Sequence, residues 1–96
     1  MLQAIIAMII GHIRFKRMLS YCLVETPSPT IEVFEYKGKL YNKERFIRLK
    51  VESIRELGIS QRSLKETLTK YESNLANSEH PDLDMVLIEA YKRVIR

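Results

Sequence analysis

Residues 54–71, Ile-Arg-Glu-Leu-Gly-Ile-Ser-Gln-Arg-Ser-Leu-Lys-Glu-Thr-Leu-Thr-Lys-Tyr, restrict the possible folds more than any other stretch of this chain. Gly58 interrupts two runs of helical periodicity, and glycine turns with positive φ at no steric cost. The first helix is therefore expected to stop at Leu57, with Ile59 plugging the turn. Ser60 is expected to cap a second helix through its hydroxyl. On that helix Leu64, Leu68, Tyr71 and Leu75 recur at spacings of four, three and four, a single apolar stripe. Two short helices joined through a glycine, with an apolar residue on each side of it, make a helix-turn-helix unit. The same pattern is also an ordinary way to end one helix and cap the next, so a purely architectural reading stands beside it.

The unit covers 42–75. Asn42 is placed to cap its first helix, whose Phe46, Leu49, Ile54 and Leu57 are expected to face one way. Before it, residues 25–41 form a linker and a hairpin. Pro27 and Pro29 can continue neither a helix nor a central strand. Thr30 to Tyr36 is rich in β-branched and aromatic residues, Lys37-Gly38 supplies a turn, and Lys39-Leu40-Tyr41 returns. After the unit, Asn74 to Pro81 breaks the pattern, and Asp82 is expected to cap a final helix over 82–96. That helix carries a wide apolar face of Leu83, Val86, Leu87, Tyr91, Val94 and Ile95. Lys92, Arg93 and Arg96 lie in its last turn, where cations complement the helix dipole.

Residues 1–24 form an apolar amino-terminal segment. Met1 to Ile10 has one polar residue, Gln3, and Arg14, Lys16 and Arg17 follow the run. A secretory signal has the reverse order, and about ten apolar residues are too few to span a bilayer. A buried or dimer-forming helix is the expectation. Isoleucines at 5, 6, 9, 10 and 13 fit a buried strand equally, and a helix lying on a membrane surface is a third option. Met18 is an alternative start. A chain of 96 residues is expected to fold as a single domain over 1–96, mainly α with a minor β-hairpin.

Apolar residues make up 46% and charged residues 29%, which excludes wholesale disorder. Net charge is +4, a balance suited to an anionic partner. The single cysteine, Cys22, excludes an intrachain disulfide and points to a reducing, cytoplasmic location, with the thiol as a small buried hydrophobe.

Little in the chain suggests catalysis. His12 and His80 lack flanking cysteines at zinc-type spacing, and His80 is expected to be solvated in a loop. Glu79, Asp82 and Asp84 lack the alternating ligands and central glycine of a calcium loop. Glycines at 11, 38 and 58 form no phosphate-cradling loop, and no serine or cysteine sits in a nucleophile setting. No enzyme activity, cofactor or metal is expected.

Leu57-Gly58-Ile59-Ser60, Ser63-Leu64, Leu68 and Tyr71 resemble the carboxy-terminal helix-turn-helix of the factor-for-inversion-stimulation family and of nitrogen-regulator-type enhancer-binding proteins. The likeness covers about 18 residues and is local. Where that family has alanine this chain has Ile54, which implies a wider helix crossing or another geometry. Its recognition helix is strongly basic, whereas this one carries Glu66. A looser likeness, in order of parts only, is to the modular DNA-binding segments that accompany homing nucleases. The resemblance implies a regulator of transcription that binds double-stranded DNA. A homodimer is expected because one short recognition helix reads few bases, and a membrane partner is not expected because residues 1–10 show no clear polar face. Gln61, Arg62, Ser63, Lys65, Glu66, Thr69 and Lys70 are the expected contacts, with Lys43 and Arg45 as further phosphate contacts. The dimer interface is expected from the amino-terminal segment or the C-terminal helix. The alternative from another class is a small adaptor or inhibitor that docks a partner protein through its apolar helices.

Overall fold

The computed structural model describes residues 2–96 and, from residue 11 onward, their side chains. Helix α1 spans Leu2–Cys22, strand β1 Val33–Tyr36 and strand β2 Lys39–Asn42. Helices α2 (Lys43–Leu57) and α3 (Gln61–Asn74) follow. A 3-10 turn over Leu75–Asn77 then leads to α4, Pro81–Val94. The architecture is mainly helical with one small antiparallel hairpin, as the sequence predicts.

Residues 2–22 are helical, which decides between the helix and strand readings of the amino terminus. The run has no proline and one glycine, Gly11, and its Leu, Met, Ala, Lys and Arg residues are good helix formers; twenty-one residues also exceed any ordinary strand. The expected buried or dimer-forming apolar face of residues 1–10 concerns side chains outside the described residues. After α1 the chain hugs the hairpin: Leu23 bridges Tyr41, and the Val24 N–H donates to the Leu40 carbonyl at 2.9 Å.

The hairpin pairs Phe34 with Tyr41 and Tyr36 with Lys39. Lys37 and Gly38 both have positive φ, 50° and 80°, as a two-residue I′ turn demands. The Gly38 N–H is held by Glu35 Oε1 at 2.7 Å. The first strand is shorter than its composition suggests, because Thr30 and Ile31 are taken into a turn closed by the Ile31 N–H on the Ser28 carbonyl.

Local chemistry at the helix ends follows the sequence closely. Asn42 Oδ1 accepts the Arg45 N–H at 3.0 Å, and Ser60 Oγ accepts the Ser63 N–H at 3.2 Å. Gly58 sits in the left-handed region, φ 62° and ψ 33°, and closes α2 by donating to the Arg55 carbonyl. Helix α4 departs from expectation: it starts one residue earlier, with Pro81 in its first turn, so Asp82 is a first-turn acid rather than the cap. Proline at that position lacks only an N–H that no helical carbonyl would accept, and its fixed φ already suits the helix.

Helix α4 is the centre of the molecule. It packs on α2, α3 and β1, and Leu83, Val86, Leu87, Ala90 and Tyr91 are all buried. One core joins α4 to Leu19 and Cys22 of α1, Phe34 and Tyr41 of the hairpin, and Phe46, Ile47 and Val51 of α2. A smaller cluster joins Ile54, Leu64 and Tyr91, flanked by Leu68 and Tyr71. Among the described residues α2 and α3 have no pair of Cα atoms within 8 Å; each leans on α4 instead. That separation corrects two expectations. Leu57 lies at the end of the α2 apolar face and is 59% exposed, and Ile59, 36% exposed, borders an open depression beside Ile54 and Leu64 instead of filling the turn. Ile47 and Val51, absent from the expected face, are buried in their place because α4 covers that side.

His80 is also not the solvated loop residue expected. It is half-buried, with its ring edge-on to Tyr36 at 4.8 Å between centroids.

Candidate nucleic-acid interface

The exposed side of α3 is generated by its own buried stripe. Leu64 is 1% exposed, and Leu68 and Tyr71 pack beside it against α4. At ~100° per residue, Arg62, Lys65, Glu66, Thr69 and Lys70 fall within about 140° of arc on the opposite side. These five line one shallow depression on the outer surface of α3. Helix α3 packs only on α4 and the 3-10 turn after it, so no other element covers this face among the described residues.

Each expected contact residue has a definite setting. Arg62 Nε lies 3.4 Å from Glu66 Oε1, an exposed pair one helical turn apart. Such pairs are worth about 0.3–0.5 kcal/mol, little enough to open for a stronger partner. The Thr69 hydroxyl donates to the Lys65 carbonyl at 2.9 Å, which leaves its oxygen lone pairs facing outward. Lys65 and Lys70 make no ion pair among the described residues. Three cations thus stand among these five residues against one carboxylate, with the exposed Glu72 about 20° beyond Lys65.

The remaining expected residues lie off the face. Gln61 is on its flank, and its Oε1 accepts the Arg96 N–H at 2.9 Å, tying the start of α3 to the chain's last residue. Ser63 is on the other flank, its hydroxyl taking a hydrogen bond from Ser60 at 3.1 Å. Lys43 and Arg45 stand at the far end of α2, about 20 Å along its axis from the glycine turn. Lys43 Nζ is 3.9 Å from Glu32, and Arg45 Nη1 donates to the Tyr21 carbonyl at 3.1 Å, joining α2 to the end of α1. Both have structural partners and neither belongs to the α3 face.

One polar link was invisible in the sequence. Arg93 grips Glu44 with two hydrogen bonds, 2.8 and 3.1 Å, fastening α4 to the first turn of α2. Arg48 and Glu89 flank this pair at 3.6 and 3.5 Å. The hydrogen bond from Arg93 holds the Glu44 carboxyl below the usual carboxylate range. Forty-nine residues separate the partners, so no local spacing signals them. Burial, with Asp84 nearby, pushes the Tyr71 phenol up, and burial does the same for Tyr91, so both behave as neutral core aromatics.

Among the described residues no group of three His, Cys, Asp or Glu side chains is disposed to hold a metal ion. No helix among them is long and apolar enough to cross a membrane. No protein-family model, curated protein or solved structure matches the chain, so a functional reading of this surface rests on the chain's own residues.

Proposed function

We propose that this chain binds double-stranded DNA with α3 as its reading helix and regulates transcription as a homodimer. The observation that carries this reading is the uncovered outer face of α3, basic in balance and backed by a buried stripe that fixes its orientation. A major groove about 12 Å wide admits one helix, and side chains on its leading face reach base edges. Arg62 and Lys65 supply donors for guanine O6 and N7, and Glu66 accepts from cytosine N4. Thr69 serves either kind of base, and Lys70 neutralises phosphate. Gln61 and Ser63 flank the first turn; Gln61 reaches a base only after releasing Arg96. A single helix reads few base pairs, which is the reason for two copies. The apolar side of α4 is occupied within the protomer, so the dimer surface belongs to the α1 region. A cytoplasmic, reducing location suits a lone buried thiol.

Titration of labelled duplex at two salt concentrations tests the reading. Log affinity should fall by about 0.9 per phosphate contact for each log unit of salt. Unchanged anisotropy with duplex at low salt would remove the DNA reading. One observation favours a second: Leu57 and Ile59 stand exposed beside the glycine turn, an apolar pair suited to a partner protein. An adaptor or inhibitor acting there would bind no DNA.

A further inference from the structure

We propose that the cavity between α1 and the hairpin binds a small amphipathic anion, an acyl or aryl group carrying a carboxylate or phosphate. The site is separate from the α3 face: among the described residues neither α1 nor the hairpin touches α3, and the proposal does not depend on DNA binding.

The cavity is half open to solvent and measures about 500 Å³, within the roughly 300–1,000 Å³ typical of small-ligand pockets. Its walls are largely apolar, with Phe15, Leu19 and Leu23 on one side and Tyr36 and Tyr41 on the other, and His12 and Ser20 add polar groups to the first side. They are also held open. Phe15 meets Tyr36 edge-on at 5.8 Å, and His80 meets the same ring at 4.8 Å, so Tyr36 is fixed from two sides and does not fall into the space.

The rim has one sign of charge. Lys16, Lys37 and Lys39 converge on the cavity, and none has an ion-pair partner among the described residues. Lys37 leans over Tyr36, its Nζ 5.4 Å from the ring centroid. No Asp or Glu lines the cavity among the described residues, and residues 1–10 contain none. Three like charges around one apolar opening repel each other until an anion enters. The walls favour an apolar body, which excludes bare phosphate as the ligand, and the rim disfavours a neutral lipid.

Calorimetric titration with decanoate, decyl phosphate and decanol, all kept below micelle formation, tests the site. Saturable binding of one equivalent of decanoate or decyl phosphate is expected, with decanol at least about tenfold weaker. Preference between the two anions identifies the headgroup. Lys16→Gln with Lys39→Gln should weaken the anion about fivefold and leave duplex binding and thermal melting unchanged, since both lysines are exposed. Leu23→Glu should abolish anion binding by placing a carboxylate in the wall. Equal affinity for decanol and decanoate, full affinity in the double lysine variant, or no saturable binding of any probe would overturn the proposal.

Discussion

Leu57 and Leu64 lie seven residues apart on either side of one turn, yet the fold treats them oppositely. Leu64 is almost fully buried between α3 and α4, whereas Leu57 is mostly exposed at the end of α2. Leu64→Ala should therefore cost about 2–5 kcal/mol in urea unfolding, because it removes methyl groups and leaves a cavity. Leu57→Ala should stay within about 0.5 kcal/mol of the parent, as surface changes do. Equal losses at the two positions would mean that something covers Leu57. Residues whose role is local were legible in the sequence: Asn42 and Ser60 cap and Gly58 turns because their partners lie within three residues. Burial was less legible, since periodicity gives the face of a helix but not where its cover ends.

At the scale of elements, α3 is an exposed lever and α4 its support. If α3 reads duplex, Arg62→Ala and Lys65→Ala should each weaken binding by about 1–3 kcal/mol where they contact guanine, with unchanged melting temperature. Glu66→Gln should tighten non-specific binding, since it removes a carboxylate from the middle of the face turned to phosphate. Full affinity in both alanine variants would leave the α3 face without a role in recognition. The α2–α4 junction makes a separate prediction. Glu44 has a folded pKa below its unfolded value, through its hydrogen bond from Arg93. A depressed carboxylate contributes stability above the unfolded pKa, near 4.5, and that contribution is lost as pH falls through the folded value. The melting temperatures of parent and Glu44→Gln should differ at neutral pH and converge on acidification. A gap that persists well below the folded pKa would place the stabilisation elsewhere. The sequence assigned Arg93 to the helix dipole; only the packing of α4 across α2 brings it to Glu44.

At the scale of the molecule, a homodimer has to use surface that the protomer leaves open. The C-terminal helix offers little of it, because α4 faces α2, α3 and the hairpin and of its larger apolar residues only Met85 is well exposed. The α1 region remains, with Ile13 and Tyr21 exposed among the described residues. Sedimentation at tens of micromolar, about the range in which weak association appears, should show self-association that Tyr21→Glu reduces and Met85→Glu leaves intact. A clean monomer would remove the dimer from the reading. The sequence alone determined the main element types and their order from residue 25 onward, the turn at Gly58, the hairpin turn and the caps at Asn42 and Ser60, but not the start of α4. All of these depend on interactions between near neighbours, whose geometry a short stretch of chain fixes. The tertiary structure decided which apolar faces are consumed, that α2 and α3 lean on α4 rather than on each other, and which charges pair. It also decided that α1 and the hairpin border a lysine-rimmed cavity. Those outcomes depend on which distant elements meet, and chain order does not encode that choice until the core has packed.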